Sequence, residues 1–164
     1  KMPQYTIRPL ETEDQTMVEE LLEEHWGGTA MALDGHLFPL LAYPGFAAES
    51  AEGVLGFVLY AAAGRRWEIM VLQALLPRQG VGTALLSKVA AEAFAAGAEK
   101  LSLVTTNDNL DALRFYQRRN FQLVAVRQNA VARSRAIKPS IPERGLYGIP
   151  LRDELVLEYM LLHR

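Results

Sequence analysis

Apolar positions along this chain change period several times, and each change marks an element. Tyr5, Ile7 and Leu10 form an extended lead. Thr12-Glu13-Asp14-Gln15 then has the spacing of a capping box, whose side chains satisfy the free amides of a first helical turn. Val18, Leu21, Leu22 and Trp26 follow as one apolar stripe at helical spacing with acids on the other face, and Gly27-Gly28 supplies a stop. From Thr29 to about Pro44 the residues keep no clean period, which predicts an irregular helix or loop near an open surface. Gly45 to Glu49, Val54 to Ala62 and Trp67 to Leu75 read as strands, and the short Gly-containing links between them favour an antiparallel meander.

Gly82 to Ala96 is the strongest helix, with Leu85, Leu86, Val89, Ala93 and Phe94 at helical spacing and Gly97 placed to end it. Leu101 to Thr105 is a short buried strand. The helix before it predicts a right-handed crossover that leaves this strand parallel to Trp67–Leu75. Leu110 to Arg119 is a further helix, with Asn107-Asp108-Asn109 as cap donors. Phe121 to Arg127 and Leu155 to Leu162 are the last strands. The stretch joining them holds Pro139, Pro142, Gly145, Gly148 and Pro150, and connections of that length are often functional. The order of elements gives an α+β fold around a mixed sheet.

Length and composition narrow the function classes. A chain of 164 residues, 50% of them hydrophobic, has material for one substantial core and one domain. Met2 behind Lys1 leads to the expectation that Lys1 is a tag remnant and that the domain runs over residues 2–164. A net charge of -2 provides no field for nucleic acid or an anionic membrane. Without cysteine there is no disulfide framework and no thiolate chemistry. No apolar run has the length of a membrane span and no signal peptide is recognisable, so the protein is expected to be soluble and cytoplasmic. No His or carboxylate pairing has metal-site spacing, and no metal is expected.

The chemistry concentrates where a strand meets the strongest helix, at Pro77-Arg78-Gln79-Gly80-Val81-Gly82-Thr83. Amides in the first turn of a helix lack intrahelical acceptors, the helix dipole favours negative charge there, and glycines let a ligand approach the main chain. A pyrophosphate fits such a place. A dinucleotide-binding fold would need a third small residue at Leu85 and a turn that opens the chain, and this sequence has neither.

The second motif is Asn109-Leu110-Asp111-Ala112-Leu113-Arg114-Phe115-Tyr116, with Phe121 five residues on. It resembles the N-x-x-A-x-x-F-Y segment of the GNAT superfamily of N-acetyltransferases. In that family too it follows a glycine turn, a helix and a short strand, in the order found here. The resemblance covers Val54 to Leu123 and implies a mostly antiparallel mixed sheet flanked by helices, with a splayed central strand pair forming an acyl-CoA cleft. It implies acetyl-CoA as cosubstrate, with Arg78, Gln79, Gly80, Val81, Gly82 and Thr83 around the CoA pyrophosphate and Ala74 and Leu75 on pantetheine. Asn109 would contact the cofactor, and Tyr116 would protonate or hydrogen-bond the departing thiolate. Two positions depart from the family pattern. Pro77 stands where Gln or Arg is usual, with Arg78 able to supply the charge, and Asn120 replaces a Gly that often precedes the final aromatic.

An alkylammonium is neutral in only about one molecule in a few thousand at pH 7, so acylation requires a base. Glu68, early on the strand that would carry pantetheine, is the first candidate by the same resemblance; a solvent-facing strand carboxylate is the plain alternative. His25 and His36 titrate in the right range but sit in no motif. Arg133, Arg135, Lys138 and Arg144 read as solvated bases, and Asp153 and Glu154 as groups that could receive a cationic acceptor. The acceptor is expected to be a small-molecule or peptide amine, and a homodimer is left open. A non-catalytic acyl-CoA binder and a nucleotide-binding module remain as alternatives.

Overall fold

The computed structural model describes residues 4–76 and 80–162. Its main sheet has seven strands in the order β1-β4-β5-β6-β7-β9-β8. The members are β1 (Tyr5–Pro9), β4 (Gly45–Ser50), β5 (Gly53–Ala63), β6 (Arg66–Ala74), β7 (Lys100–Thr106), β8 (Gln122–Arg127) and β9 (Glu154–Met160). Each neighbouring pair is antiparallel except β6 and β7, which run parallel with helix α2 (Val81–Ala95) as the crossover between them. A separate hairpin, β2 (Ala30–Leu33) with β3 (His36–Pro39), follows helix α1 (Gln15–Trp26). Helix α3 is Leu110–Gln117 and α4 is Ala130–Ile137. Among the described residues no helix is long and apolar enough to cross a membrane.

Two apolar layers sandwich the sheet. Leu85 and Val89 of α2 pack with Val58, Leu101 and Leu157 on one face, while Val18 and Leu22 of α1 pack with Phe57, Leu59 and Val71 on the other. The acids of α1 face solvent, as the stripe predicts. The cap before α1 sits one residue earlier than expected: the Asp14 carboxylate accepts the Glu11 amide at 2.8 Å, closing a short 3-10 turn, and is held by Arg8. Gly27 stops α1 in the left-handed conformation (φ 71°) that glycine adopts without steric cost.

Two segments differ from the expected outline. Thr29–Pro44, expected to be irregular, contains the β2–β3 hairpin. Its turn residues Asp34 and Gly35 both have positive φ (47° and 79°), the arrangement an Asp-Gly two-residue turn adopts. The long connection between the last strands contains α4, whose Ala130, Val131 and Ser134 are buried. Asn120 takes φ 69°, so its left-handed backbone stands in for the glycine usual there.

Candidate active site

The cleft begins with one extra residue. Leu59 of β5 pairs with Val71, whereas Tyr60 pairs with Ile69, so Met70 is bulged out of the β6 ladder. Met70 and Val71, adjacent in sequence, consequently both enter the layer under α1, while Ile69 and Leu72 belong to the α2 side. A bulge increases local twist and interrupts pairing. The β6–β7 ladder ends at Ile69 opposite Leu103, although β6 continues to Ala74 and β7 to Thr106. The two strands diverge there, leaving a cleft of about 460 Å³.

The ladder also decides which main-chain groups face this opening. The Leu75 amide donates to Leu55 O at 2.8 Å, so that pair is hydrogen-bonded. Ala74 opposite Gly56 and Leu72 opposite Val58 are then the intervening pairs, whose N–H and C=O groups point away from β5, Leu72 bordering the cleft and Ala74 the hollow at the start of α2. Ala74 therefore presents its amide as expected, whereas Leu75 turns its own back into the sheet. Leu72, which the sequence did not single out, borders the cleft on the same strand. The Ala74 carbonyl accepts Gln73 Nε2 at 3.0 Å, and Gln73 Oε1 accepts Trp26 Nε1 at 2.9 Å, tying the end of α1 to the diverging strand.

Tyr116 lines the cleft from α3 and is nearly buried, with 9% of its surface exposed. Phe115 and Phe121 meet its ring edge-on. Among the described residues its hydroxyl has no hydrogen-bond partner. Burial pushes the phenol well above its ordinary pKa, partly offset by the Arg119 charge. Asn109 both lines the cleft and caps α3, its Oδ1 accepting the Ala112 amide at 3.1 Å.

A second hollow, about 530 Å³, opens at the start of α2 and is bounded by Gly80, Val81, Gly82 and Thr83. Gly80 lies at φ 73°, and a Cβ on Gly82 would sit 3.4 Å from the Phe115 ring, so both glycines are suited to their places. Pro77, Arg78 and Gln79 lie outside the described residues. The hollow has cations that the sequence reading missed: Arg114 of α3, and Arg118 and Arg119 just beyond its end. Arg119 donates to Thr83 Oγ1 at 2.9 Å and stacks 3.6 Å above the Phe115 ring, and burial lowers its pKa. Their spacing of four and five residues puts all three near the glycine turn once α3 is packed against it, a signal present in the sequence but readable only with that packing.

Glu68 does not line the cleft. It faces an adjoining hollow with Arg66, Arg127, Asp34 and His36, and Leu33 borders both spaces. Burial raises the Glu68 carboxyl above its ordinary pKa, while Arg66 and Arg127 pull it down. His25 lines the cleft itself.

The residues offered as receivers for a cation are already engaged. Glu154, fully buried, accepts the Asp34 amide at 2.9 Å and Arg127 at 3.2 Å, and Asp153 accepts the Asn129 amide at 2.9 Å and pairs with Arg152. The bases of the late connection are likewise structural. Arg135 donates to the carbonyls of Ile141, Pro142 and Leu151, Lys138 to Ala30 O, and Arg144 to Gly148 O, while Arg133 pairs with Asp34. Of the three expected cap donors before α3, only Asn109 caps. Asn107 Oδ1 accepts the Arg152 and Asp153 amides, and Asp108 accepts the Leu146 amide at 2.8 Å.

Residues 6–121 match the model of the acetyltransferase (GNAT) family, which spans both the glycine turn and the Asn109–Tyr116 segment. The chain belongs to the GNAT acetyltransferase family. YdhI, an uncharacterized protein of Bacillus subtilis strain 168, is 38% identical over 146 residues, which are 88% of this chain and 91% of YdhI. The fold is shared with the ribosomal-protein-S18-alanine N-acetyltransferase of Escherichia coli (TM-score 0.70, 18% identity, 98% of this chain and 96% of that one). It is shared as well with a GNAT acetyltransferase of Elizabethkingia anophelis solved with acetyl-CoA bound (TM-score 0.67, 20% identity, 96% and 98%). Among the described residues no group of three or more His, Asp or Glu side chains is placed to hold a metal ion.

Proposed function

We propose that this GNAT protein is an N-acetyltransferase that transfers the acetyl group of acetyl-CoA directly to a primary amine. The observation that carries this reading is the open seam between β6 and β7, with the outward-facing amides of Leu72 and Ala74 along one strand and, beside it, the buried hydroxyl of Tyr116, which has no partner among the described residues. Acetyl-CoA supplies an acyl group activated as a thioester. The free amides of Gly80 to Thr83 and the guanidinium groups of Arg114, Arg118 and Arg119 suit its phosphates, and Leu72 and Ala74 suit the amide-rich pantetheine arm. An amide of this same edge also stabilises the negative charge that develops on the carbonyl oxygen under attack.

Tyr116 acts at the departing sulfur. Its raised pKa keeps the phenol protonated throughout the neutral range, and full transfer of that proton would leave a phenolate in a buried site. Its contribution is therefore a hydrogen bond to developing thiolate charge, which is stronger than one to a neutral acceptor. The ammonium of the acceptor loses its proton to Glu68 through water past Leu33; burial raises the Glu68 carboxyl above its ordinary pKa, which makes its carboxylate a stronger base. A second base is favoured by one observation, that His25 lies on the cleft itself.

A thermal-shift titration with acetyl-CoA, CoA, NAD and ATP followed by assay of CoA thiol release tests the reading. Stabilisation of about 2.7 kcal/mol by acetyl-CoA at 100 times its dissociation constant, with thiol release on adding amines, is expected. Stabilisation without release would leave an acyl-CoA-binding module, and stabilisation by NAD or ATP alone would overturn the assignment. Glu68→Gln and His25→Gln separate the two bases: the variant that loses the acidic limb of the kcat/KM pH profile lacks the base.

A further inference from the structure

Resting on the amine-acetylation reading, we infer that the acceptor is a small monoamine with an apolar body, and that polycations and polypeptide termini are poor acceptors. The wall of the cleft away from α2 is apolar: Trp26 from the end of α1, Met31 and Leu33 from the β2–β3 hairpin, and Met70 from the bulge. Among the described residues lining the cleft there is no Asp, Glu, Lys or Arg. Three of the polar side chains there are already engaged, Gln73 between Trp26 and Ala74, Asn109 as the cap of α3 and Thr106 with Asp108.

Charge decides against polyamines. One ammonium enters the reaction as a neutral amine, because it must lose its proton before attack. Every further ammonium of a polyamine or aminoglycoside would be brought in without a counter-charge, and burying an unpaired charge is strongly unfavourable. The carboxylates around the cleft do not supply one: Asp108, bonded to the cleft-lining Thr106, is buried and accepts the Leu146 amide. Glu68 faces the next hollow beside Arg66 and Arg127, and Glu154 and Asp153 are engaged as described. Glu24, 3.7 Å from His25, is largely exposed and lines no part of the cleft.

Shape decides against polypeptides. The hairpin that forms the apolar wall is fastened at its tip to α4 and β9 and at its base to Lys138, the residue that follows α4. Arg133 pairs with Asp34 at 2.7 Å, the Gly35 amide donates to Ser134 Oγ at 3.1 Å, the Asp34 amide donates to Glu154 at 2.9 Å, and Lys138 donates to Ala30 O at 2.7 Å. Ser134 and Glu154 are each only 1% exposed, so these fastenings reach into the body of the protein. A peptide acceptor would have to continue past this fastened wall, and the same cleft of about 460 Å³ must also hold the pantetheine arm.

The test is acetyl-CoA-dependent thiol release by the full chain with phenethylamine, spermidine, kanamycin and an octapeptide with a free N-terminus and one lysine. The expected result is a kcat/KM for phenethylamine on the order of 100-fold above each of the other three. Preference for spermidine, kanamycin or the peptide would overturn the inference while leaving amine acetylation in place. Release with none of the four, despite stabilisation by acetyl-CoA, would overturn both. Met31→Glu is expected to shift the phenethylamine-to-spermidine ratio toward spermidine by about tenfold, with the acetyl-CoA thermal shift unchanged as the check on folding. An unchanged ratio in that folded variant would also overturn the inference.

Discussion

On the side proposed for the cofactor, the cleft and the hollow at the start of α2 are walled by two continuous stretches of chain, Asn109 to Tyr116 and Gly80 to Thr83, each at its own helix. On the acceptor side it is assembled from segments as distant in sequence as His25, Met31 and the α4–β9 region, fastened to one another by side chain-to-backbone hydrogen bonds and one ion pair. The first wall depends on local geometry, in which a glycine turn, a free helix start and a tyrosine two turns along a helix each do their work where they stand. The second depends on long-range fastenings. Side chains on the first wall should therefore act mainly on turnover and cofactor binding, and those on the second mainly on stability and acceptor binding.

The largest expected effect is on the first wall. On the proposed mechanism Tyr116→Phe removes a hydrogen bond to the departing sulfur and keeps the ring packing, so kcat should fall about 100-fold while the acetyl-CoA dissociation constant from calorimetry stays within about twofold. Unchanged turnover would remove Tyr116 from the mechanism. Next comes a stability effect on the second wall. A Cβ on Gly145 would lie 2.1 Å from Asp108 Oδ2, so Gly145→Ala must displace a buried carboxylate and should cost about 2 kcal/mol in urea unfolding. Arg119→Ala, back on the first wall, removes a charge from the hollow at the glycine turn and should raise the KM for acetyl-CoA about tenfold with kcat little changed; a drop in kcat instead would mean that Arg119 acts through Tyr116.

The smallest effect concerns how α1, which delivers His25 and Trp26, is mounted. Arg8 holds the Asp14 carboxyl below its ordinary pKa. A lowered folded-state value means that the stabilisation is present above the unfolded aspartate pKa and is lost as pH falls through the folded one. Asp14→Asn should therefore lower Tm by about 2–4 °C near pH 7, and the difference should shrink as pH drops below about 4. A difference that persists at pH 3 would assign the effect to the Glu11 amide contact rather than to charge.

The same division explains what the sequence reveals. Helix α2, the parallel crossover, the glycine turn and the Asn109–Tyr116 segment were legible because their signals are local: helical periodicity, a Gly stop, a cap and a short motif. The bulge at Met70 was not, because Trp67–Leu75 reads as one apolar run and only pairing with β5 shows that one residue is surplus. The choice of Leu72 over Leu75 follows from that register and was hidden with it. The hairpin did carry a signal, the Asp34-Gly35 dipeptide between Leu33 and His36, but its strands are short and half-exposed, so no alternation supported it. Helix α4 lacks a strong apolar stripe and is fixed by buried Ser134 and its neighbours, a tertiary cause. Asp153 and Glu154 looked available because sequence shows a charge and not its partner.

Asn107, Asp108 and Asn109 join the two walls. Within three residues the chain caps the helix that carries Tyr116 and holds the amides of Leu146, Arg152 and Asp153 from the late connection. Substitution at this triplet would be pleiotropic, disturbing the placement of the phenol and the acceptor wall together. Divergence toward a new acceptor would therefore proceed more freely through Met31, Leu33 and Trp26, which shape the pocket without sharing that anchorage.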